Sequence, residues 1–247
     1  MPPSTRFGRC ERREIMPLKK STGNMYDWVT HMHTHLGGEC SHKCSYCYVQ
    51  KNRFGVPERY KGEPRLIEEE LNVNYGKGKT IFIEHMNDLF ANTIQNSWIV
   101  KILRHCLEYP ENNYVFQSKD PGRCFLGCSS FLPEGSLFGT TIETNRDMSN
   151  ISTAPHPNLR YQGIKYLKKD GIKTFITIEP IMDFDDELAE WIIDAKPNFV
   201  NIGADSKRSA LNEPSAEKVQ RLIKRLQDAN ITIRKKTNLG RLEIKAL

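Results

Sequence analysis

Six short apolar runs recur along the chain, separated by stretches with helical spacing or helix-start signals, and this alternation constrains the fold more than any other feature. The runs occupy residues 28–36, 80–84, 114–118, 136–142, 174–178 and 199–202, most with little polar interruption, and each reads as a strand. The segments 64–75, 92–109, 157–170, 185–195 and 214–228 read as helices, with Pro64, Pro157 and Pro214 suited to a first turn, where a missing N–H costs nothing. Strands alternating with helices imply a parallel sheet wound right-handed with both faces covered. Six units fall short of the eight of a full barrel. The expected fold is therefore α/β, an open partial (βα)6 TIM-type barrel in a single domain over residues 28–247, preceded by a basic N-terminal extension over residues 1–27. Ile231-Thr232-Ile233 offers a last strand, and the connection from Asp120 to Pro133 is less regular.

In such barrels function gathers at the C-terminal ends of the strands. Those ends are Glu84 to Asp88, Ser118-Lys119-Asp120, Glu143 to Asn145, Glu179-Pro180 and Gly203 to Asp205. An apolar run stops at a carboxylate four times, at Glu84, Glu143, Glu179 and Asp205. Some of these simply mark where burial ends.

Apolar residues make up 38% of the 247 and charged ones 27%, and no window approaches the roughly 18 to 20 apolar residues that span a bilayer. The first residues lack an apolar signal core, so a cytoplasmic protein without membrane contact is expected. The net charge of +6 is uneven: residues 1–20 carry +4, residues 218–247 carry +7, and the body between carries −5. Basic termini on an acidic body suit a polyanionic substrate such as nucleic acid, although charge alone favours the simpler reading of a solvated surface with a basic tail.

Seven cysteines are present, three of them within eight residues, which argues for a metal site in a reduced compartment rather than a disulfide framework. Gly37-Gly38-Glu39-Cys40-Ser41-His42-Lys43-Cys44-Ser45-Tyr46-Cys47-Tyr48 directly follows the first strand, with spacing C-x3-C-x2-C and an aromatic just before the last cysteine. Three thiolates from one loop can cap three irons of a cubane cluster and leave the fourth iron open. The alternative is a closed tetrahedral zinc site, which needs a fourth ligand. His42 or the upstream His31, His33 and His35 are available for it, but no second ligand pair with conventional spacing exists. Spacing and strand context favour iron–sulfur.

This loop resembles that of the radical S-adenosylmethionine (radical SAM) enzymes, whose signature is C-x3-C-x-Φ-C after the first strand of a partial barrel. The resemblance implies a [4Fe–4S] cluster on Cys40, Cys44 and Cys47, chelation of the open iron by S-adenosylmethionine, and reductive cleavage to a 5′-deoxyadenosyl radical that abstracts a substrate hydrogen. It also implies an external one-electron reductant such as flavodoxin or ferredoxin. The similarity runs from about Trp28 to Gly240 through the segments at 83–90, 116–121, 139–144, 178–180 and 200–203. It looks like a phage-associated group related in outline to spore photoproduct lyase, which implies the cytoplasm of a bacterium or a phage-infected host cell. Where many family members carry Gly-Gly-Glu-Pro to hold the SAM amine, this chain has His85-Met86-Asn87-Asp88, so Asn87 and Asp88 are the candidate acceptors. Tyr46, Glu143 and Asn145 complete the expected cofactor-binding set.

Candidate catalytic residues are Lys119, Glu179 and His33. Lys119 suits a substrate carboxylate or phosphate, or else a surface turn. Glu179 suits hydrogen bonds to a sugar or base, or else an ion pair with a lysine. His31, His33 and His35 alternate, so they share a face, and the expectation is that this face lines the cavity. Cys124 and Cys128 read as buried thiols rather than a hydrogen-donor pair. The expected activity is modification, isomerisation or lyase-type repair of a thymine-type nucleobase in DNA, with the base flipped out of the stack. The alternatives are a peptide- or metabolite-modifying radical SAM enzyme and a non-catalytic zinc module that binds nucleic acid.

Overall fold

The computed structural model describes residues 18–242 apart from 24, 207 and 208. Seven strands lie parallel and in chain order: β2 (His31–His33), β5 (Thr80–Ile83), β6 (Asn113–Gln117), β7 (Leu137–Thr141), β8 (Lys173–Ile178), β9 (Phe199–Ile202) and β10 (Ile233–Lys235). The short β1 (Lys19–Lys20) adds antiparallel to β2, and β3 (Leu36–Gly37) pairs with β4 (Arg65–Leu66) in a separate hairpin. Helices α1 (Asn96–Leu107), α2 (Pro121–Gly127), α3 (Pro157–Lys169), α4 (Glu187–Ala195) and α5 (Ala216–Asp228) fill the five crossovers from β5 to β10. This is the partial TIM-type barrel expected from the alternation, with β10 as the added last strand. No helix among the described residues is long and apolar enough to cross a membrane.

Local chemistry sets the helix ends. The Ser215 hydroxyl accepts the Lys218 N–H at 3.3 Å to open α5, which buries Val219, Leu222, Ile223 and Leu226 on one stripe. The His156 ring accepts the Asn158 N–H at 3.2 Å ahead of Pro157. Asp120 caps α2 by accepting the Arg123 N–H, with Pro121 in the first turn; residues 121–127 are thus helical where an irregular connection was expected.

Two apolar layers result. Ile81, Phe116, Phe138, Ile176 and Val200 meet Ile102, Ile164, Leu188 and Leu222 of the helices on the outer face of the sheet. The inner face carries Phe82, Val115, Phe175 and Phe199, closed over by Tyr26 and Trp28. Trp28 stands edge-on to Phe175 and Phe199 at 6.0 and 5.6 Å. Gly139 of β7 makes room there, since a Cβ on it would stand 2.2 Å from the Phe175 ring. The described part of the expected N-terminal extension therefore packs on the sheet, while residues 1–17 lie outside the described residues.

Two expectations are corrected. The run 28–36 is not one strand: its sheet portion is His31–His33, because the N–H groups of His35 and Leu36 leave the ladder and donate to the Glu84 carboxylate at 2.6 and 3.3 Å. Residues 64–75 form no α-helix. They contribute β4 and a 3-10 turn at Glu68–Asn72, and the buried Val73 and Tyr75 follow two-residue spacing.

Candidate active site

The cysteine loop leaves β3 and wraps one small open cavity lined by Gly38, Cys40, Cys44, Cys47, Tyr60 and Met86. All three thiols are free and half-buried. The loop is anchored from two sides. On one, the backbone N–H groups of Ser45 and Thr153 donate to the carbonyls of Ile151 and His42 at 2.9 and 2.8 Å. The Ser152 hydroxyl donates to the His42 carbonyl at 2.9 Å and lies 3.2 Å from the Cys44 sulfur. On the other, His42 Nε2 meets Asp88 Oδ2 at 2.8 Å.

Asp88 is the bracket between loop and barrel. Its carboxylate also accepts the Phe90 N–H at 3.0 Å and the Lys119 N–H at 2.8 Å. Burial alone would raise its carboxyl, but His42 and the donors from Ser118 and Lys119 hold it at about 2. Asn87 Nδ2 donates to the Gly38 carbonyl at 3.1 Å, and its Oδ1 accepts the Asp88 N–H at 2.9 Å. Both residues thus position the loop, whatever further contact they make.

The donor set fits a cluster. Burial and the nearby Asp88 charge push the Cys40 thiol up to about 12, so it is protonated at neutral pH until a cation takes the proton's place, as metal ligation does. Cys40, Cys44 and Cys47 line one cavity, and three thiols from one loop are a donor set that can cap three irons of a cubane cluster.

A charged quartet stands behind the loop. Glu143, at the end of β7, is fully buried. It accepts from the Tyr46 hydroxyl, from Arg160 Nη1 at 2.8 Å and pairs with Lys119 Nζ at 3.1 Å. Burial opposes its charge, yet Lys119 and Arg160 hold its carboxyl at about 2. Lys119 stays charged despite burial because Glu143 faces it, and its ammonium lies 5.6 Å from the centre of the Tyr46 ring. Arg160 Nη2 is buried without a hydrogen-bond partner among the described residues. Arg160, like Ser152, Lys236 and Asn238, is a site residue that sequence reasoning missed, although the place of Arg160 in the buried stripe with Gly163, Ile164 and Leu167 on α3 is a readable signal.

Across the barrel, Glu179 Oε2 pairs with Lys236 Nζ at 2.7 Å and Oε1 accepts from Asn238 at 2.8 Å. The lysine partner for Glu179 was one of the two readings of the sequence. Lys236 lies 5.1 Å from the Tyr26 ring, whose hydroxyl reaches Gln117 and Thr177 at 2.8 and 2.6 Å. Asn145 Oδ1 accepts the Asp185 N–H at 2.8 Å and so ties the loop after β7 to the loop after β8.

The expected orientation of the histidines is corrected. Met32 takes the inner face of β2, and His33 and His35 face outward toward α1. His33 Nε2 meets Glu70 Oε2 at 3.3 Å, and His35 bonds Glu84 at 2.7 Å and the Tyr75 hydroxyl at 2.8 Å. Burial lowers both rings, to about 4 and about 3, so they are neutral at physiological pH. Cys124 and Cys128 are buried under α2 in the outer core.

No protein-family model matches this sequence, and no curated protein matches it. Solved structures of spore photoproduct lyase do resemble it. One, complexed with dinucleoside spore photoproduct, superposes with a TM-score of 0.59 at 11% identity, covering 91% of this chain and 80% of that chain. A substituted form with bound AdoMet and dinucleoside spore photoproduct gives 0.53 at 12% identity, covering 85% and 65%. Another substituted form gives 0.59 at 10% identity over 89% and 80%. The chain shares the fold of that enzyme at a distance.

Proposed function

We propose that this chain is a radical SAM enzyme that modifies, rearranges or repairs a thymine-type nucleobase in DNA. The observation that carries the reading is the C-x3-C-x2-C loop: its three free cysteines line one open cavity at the C-terminal end of a parallel partial barrel. Of the solved spore photoproduct lyase structures with this fold, one carries AdoMet together with dinucleoside spore photoproduct and another is complexed with dinucleoside spore photoproduct, which supports SAM as cofactor and a nucleic-acid substrate.

Cys40, Cys44 and Cys47 would hold a [4Fe–4S] cluster, which together with S-adenosylmethionine and an external one-electron donor such as flavodoxin or ferredoxin would supply homolytic chemistry and hydrogen abstraction. The rest of the work falls to the chain. Asp88 and Ser152 fix the loop so that the thiols keep their spacing. Glu143 holds the Lys119 ammonium and the Arg160 guanidinium, and Lys119 retains hydrogen atoms to bind a carboxylate or phosphate. Glu179 and Asn238 offer a carboxylate and an amide for a sugar or base edge. Tyr26, Trp28 and Phe175 fill the inner face of the sheet with apolar side chains.

The test is anaerobic turnover with reductant and SAM, with and without thymidine-containing oligonucleotides carrying modified or damaged bases. Deoxyadenosine formation stimulated by such DNA above the uncoupled rate is expected. Stimulation by peptides or small metabolites alone would overturn the substrate assignment.

A further inference from the structure

The turn at residues 51–55 follows the cysteine loop directly and plays no part in the contacts above. Resting on the nucleobase reading, we propose that this turn is a stacking element for single-stranded DNA flanking the reacting base.

Phe54 is 90% exposed, the most exposed large apolar side chain among the described residues. It is held out by construction. Asn52 Oδ1 accepts the Phe54 N–H at 3.0 Å, the Asn52 carbonyl accepts the Gly55 N–H at 3.0 Å, and Gly55 takes φ +81°, a conformation that side chains disfavour. The Arg53 guanidinium lies 5.5 Å from the Phe54 ring centre. An aromatic face beside a guanidinium is the pairing that binds a base face and its phosphate without regard to sequence.

Position and charge both select the occupant. Val49 and Gln50 before the turn and Tyr60 after it line the same cavity as the three cysteines, so the turn leaves and rejoins the wall of the site. Phe54 lies four positions beyond Gln50, a reach of at most about 14 Å. Residues 48–66 carry Lys51, Arg53, Arg59, Lys61 and Arg65 against Glu58 and Glu63. Lys61 is paired with Glu58 and Arg59 with Glu70, whereas Lys51 and Arg53 have no carboxylate partner among the described residues. A base drawn into the cavity must leave its stack, which uncovers the neighbouring base for a ring to take its place. A polyanion with exposed base faces matches this surface in both charge and chemistry.

The test is anisotropy of a labelled short thymidine oligonucleotide with the full chain over a salt series. Wild-type protein should bind, Phe54→Ala should weaken binding about tenfold, and Phe54→Trp should restore it. Lys51→Gln with Arg53→Gln should make the log–log salt slope shallower by about 1.4. The melting temperature of Phe54→Ala should match wild type, which separates a lost contact from a damaged fold. Equal binding by Phe54→Ala and wild type overturns the proposal, as does wild type that binds no oligonucleotide. Wild type that binds through Phe54 but cleaves no SAM keeps this surface and removes the enzymatic reading. Wild type that cleaves SAM and binds DNA equally with or without Phe54 keeps the enzyme and removes the surface.

Discussion

Glu143 balances two buried cations, Lys119 and Arg160, from one carboxylate. Removing it by Glu143→Ala leaves both without a counter-charge, a loss of about 3 to 5 kcal/mol in stability. Urea unfolding should show a clearly lower midpoint, and an unchanged midpoint contradicts the quartet. Lys119→Met should weaken SAM or nucleotide binding while leaving iron content after reconstitution as in wild type. Lost iron would instead make Lys119 a support of the loop. Lys119, Tyr46 and Glu143 were each legible in the sequence as strand-end or loop residues. Their convergence was not, because the fourth member arrives from α3, seventeen residues beyond Glu143. The histidines show the other limit: alternation put His31, His33 and His35 on one face, but both faces of a barrel strand are buried, so spacing alone does not say which face is inward.

At the scale of elements, the cysteine loop depends on Asp88, which joins it to the ends of β5 and β6. Asp88→Ala should lower the iron retained after reconstitution severalfold while far-ultraviolet circular dichroism keeps its wild-type shape. Full iron retention would show that the contacts to residues 151–153 hold the loop unaided. The parallel strands were legible because each is a compact apolar run bounded by turn residues. The segment 64–75 was not: Pro64 and the acidic run at 68–70 mimic a helix start, but Glu70 is drawn inward to Arg59 and His33, which leaves only a 3-10 turn. Helix α2 carried its signal in Asp120-Pro121, a cap followed by a first-turn proline.

For the whole molecule, the buried carboxylates set the response to acid. Glu143 and Asp88 are held at about 2, below ordinary values of 4.5 and 3.8. The folded state therefore binds fewer protons than the unfolded chain in that window. Their stabilisation is present above those ordinary values and is lost as pH falls toward 2. Glu84 acts in the opposite sense: burial raises it to about 7, so its contribution is present below 4.5 and lost as pH rises through 7. Urea midpoints measured from pH 2 to 5 should fall on the acid side, and Glu143→Gln should flatten that limb; a flat wild-type profile contradicts the assignment. The measurement that bears most directly on function is anaerobic reconstitution with iron and sulfide, then dithionite reduction with SAM and chromatography for 5′-deoxyadenosine. A brown protein that forms deoxyadenosine, and loses it when Cys40, Cys44 and Cys47 are replaced by Ala, is the expected result. A colourless protein with stoichiometric zinc and no SAM cleavage would make the loop structural and overturn the radical assignment.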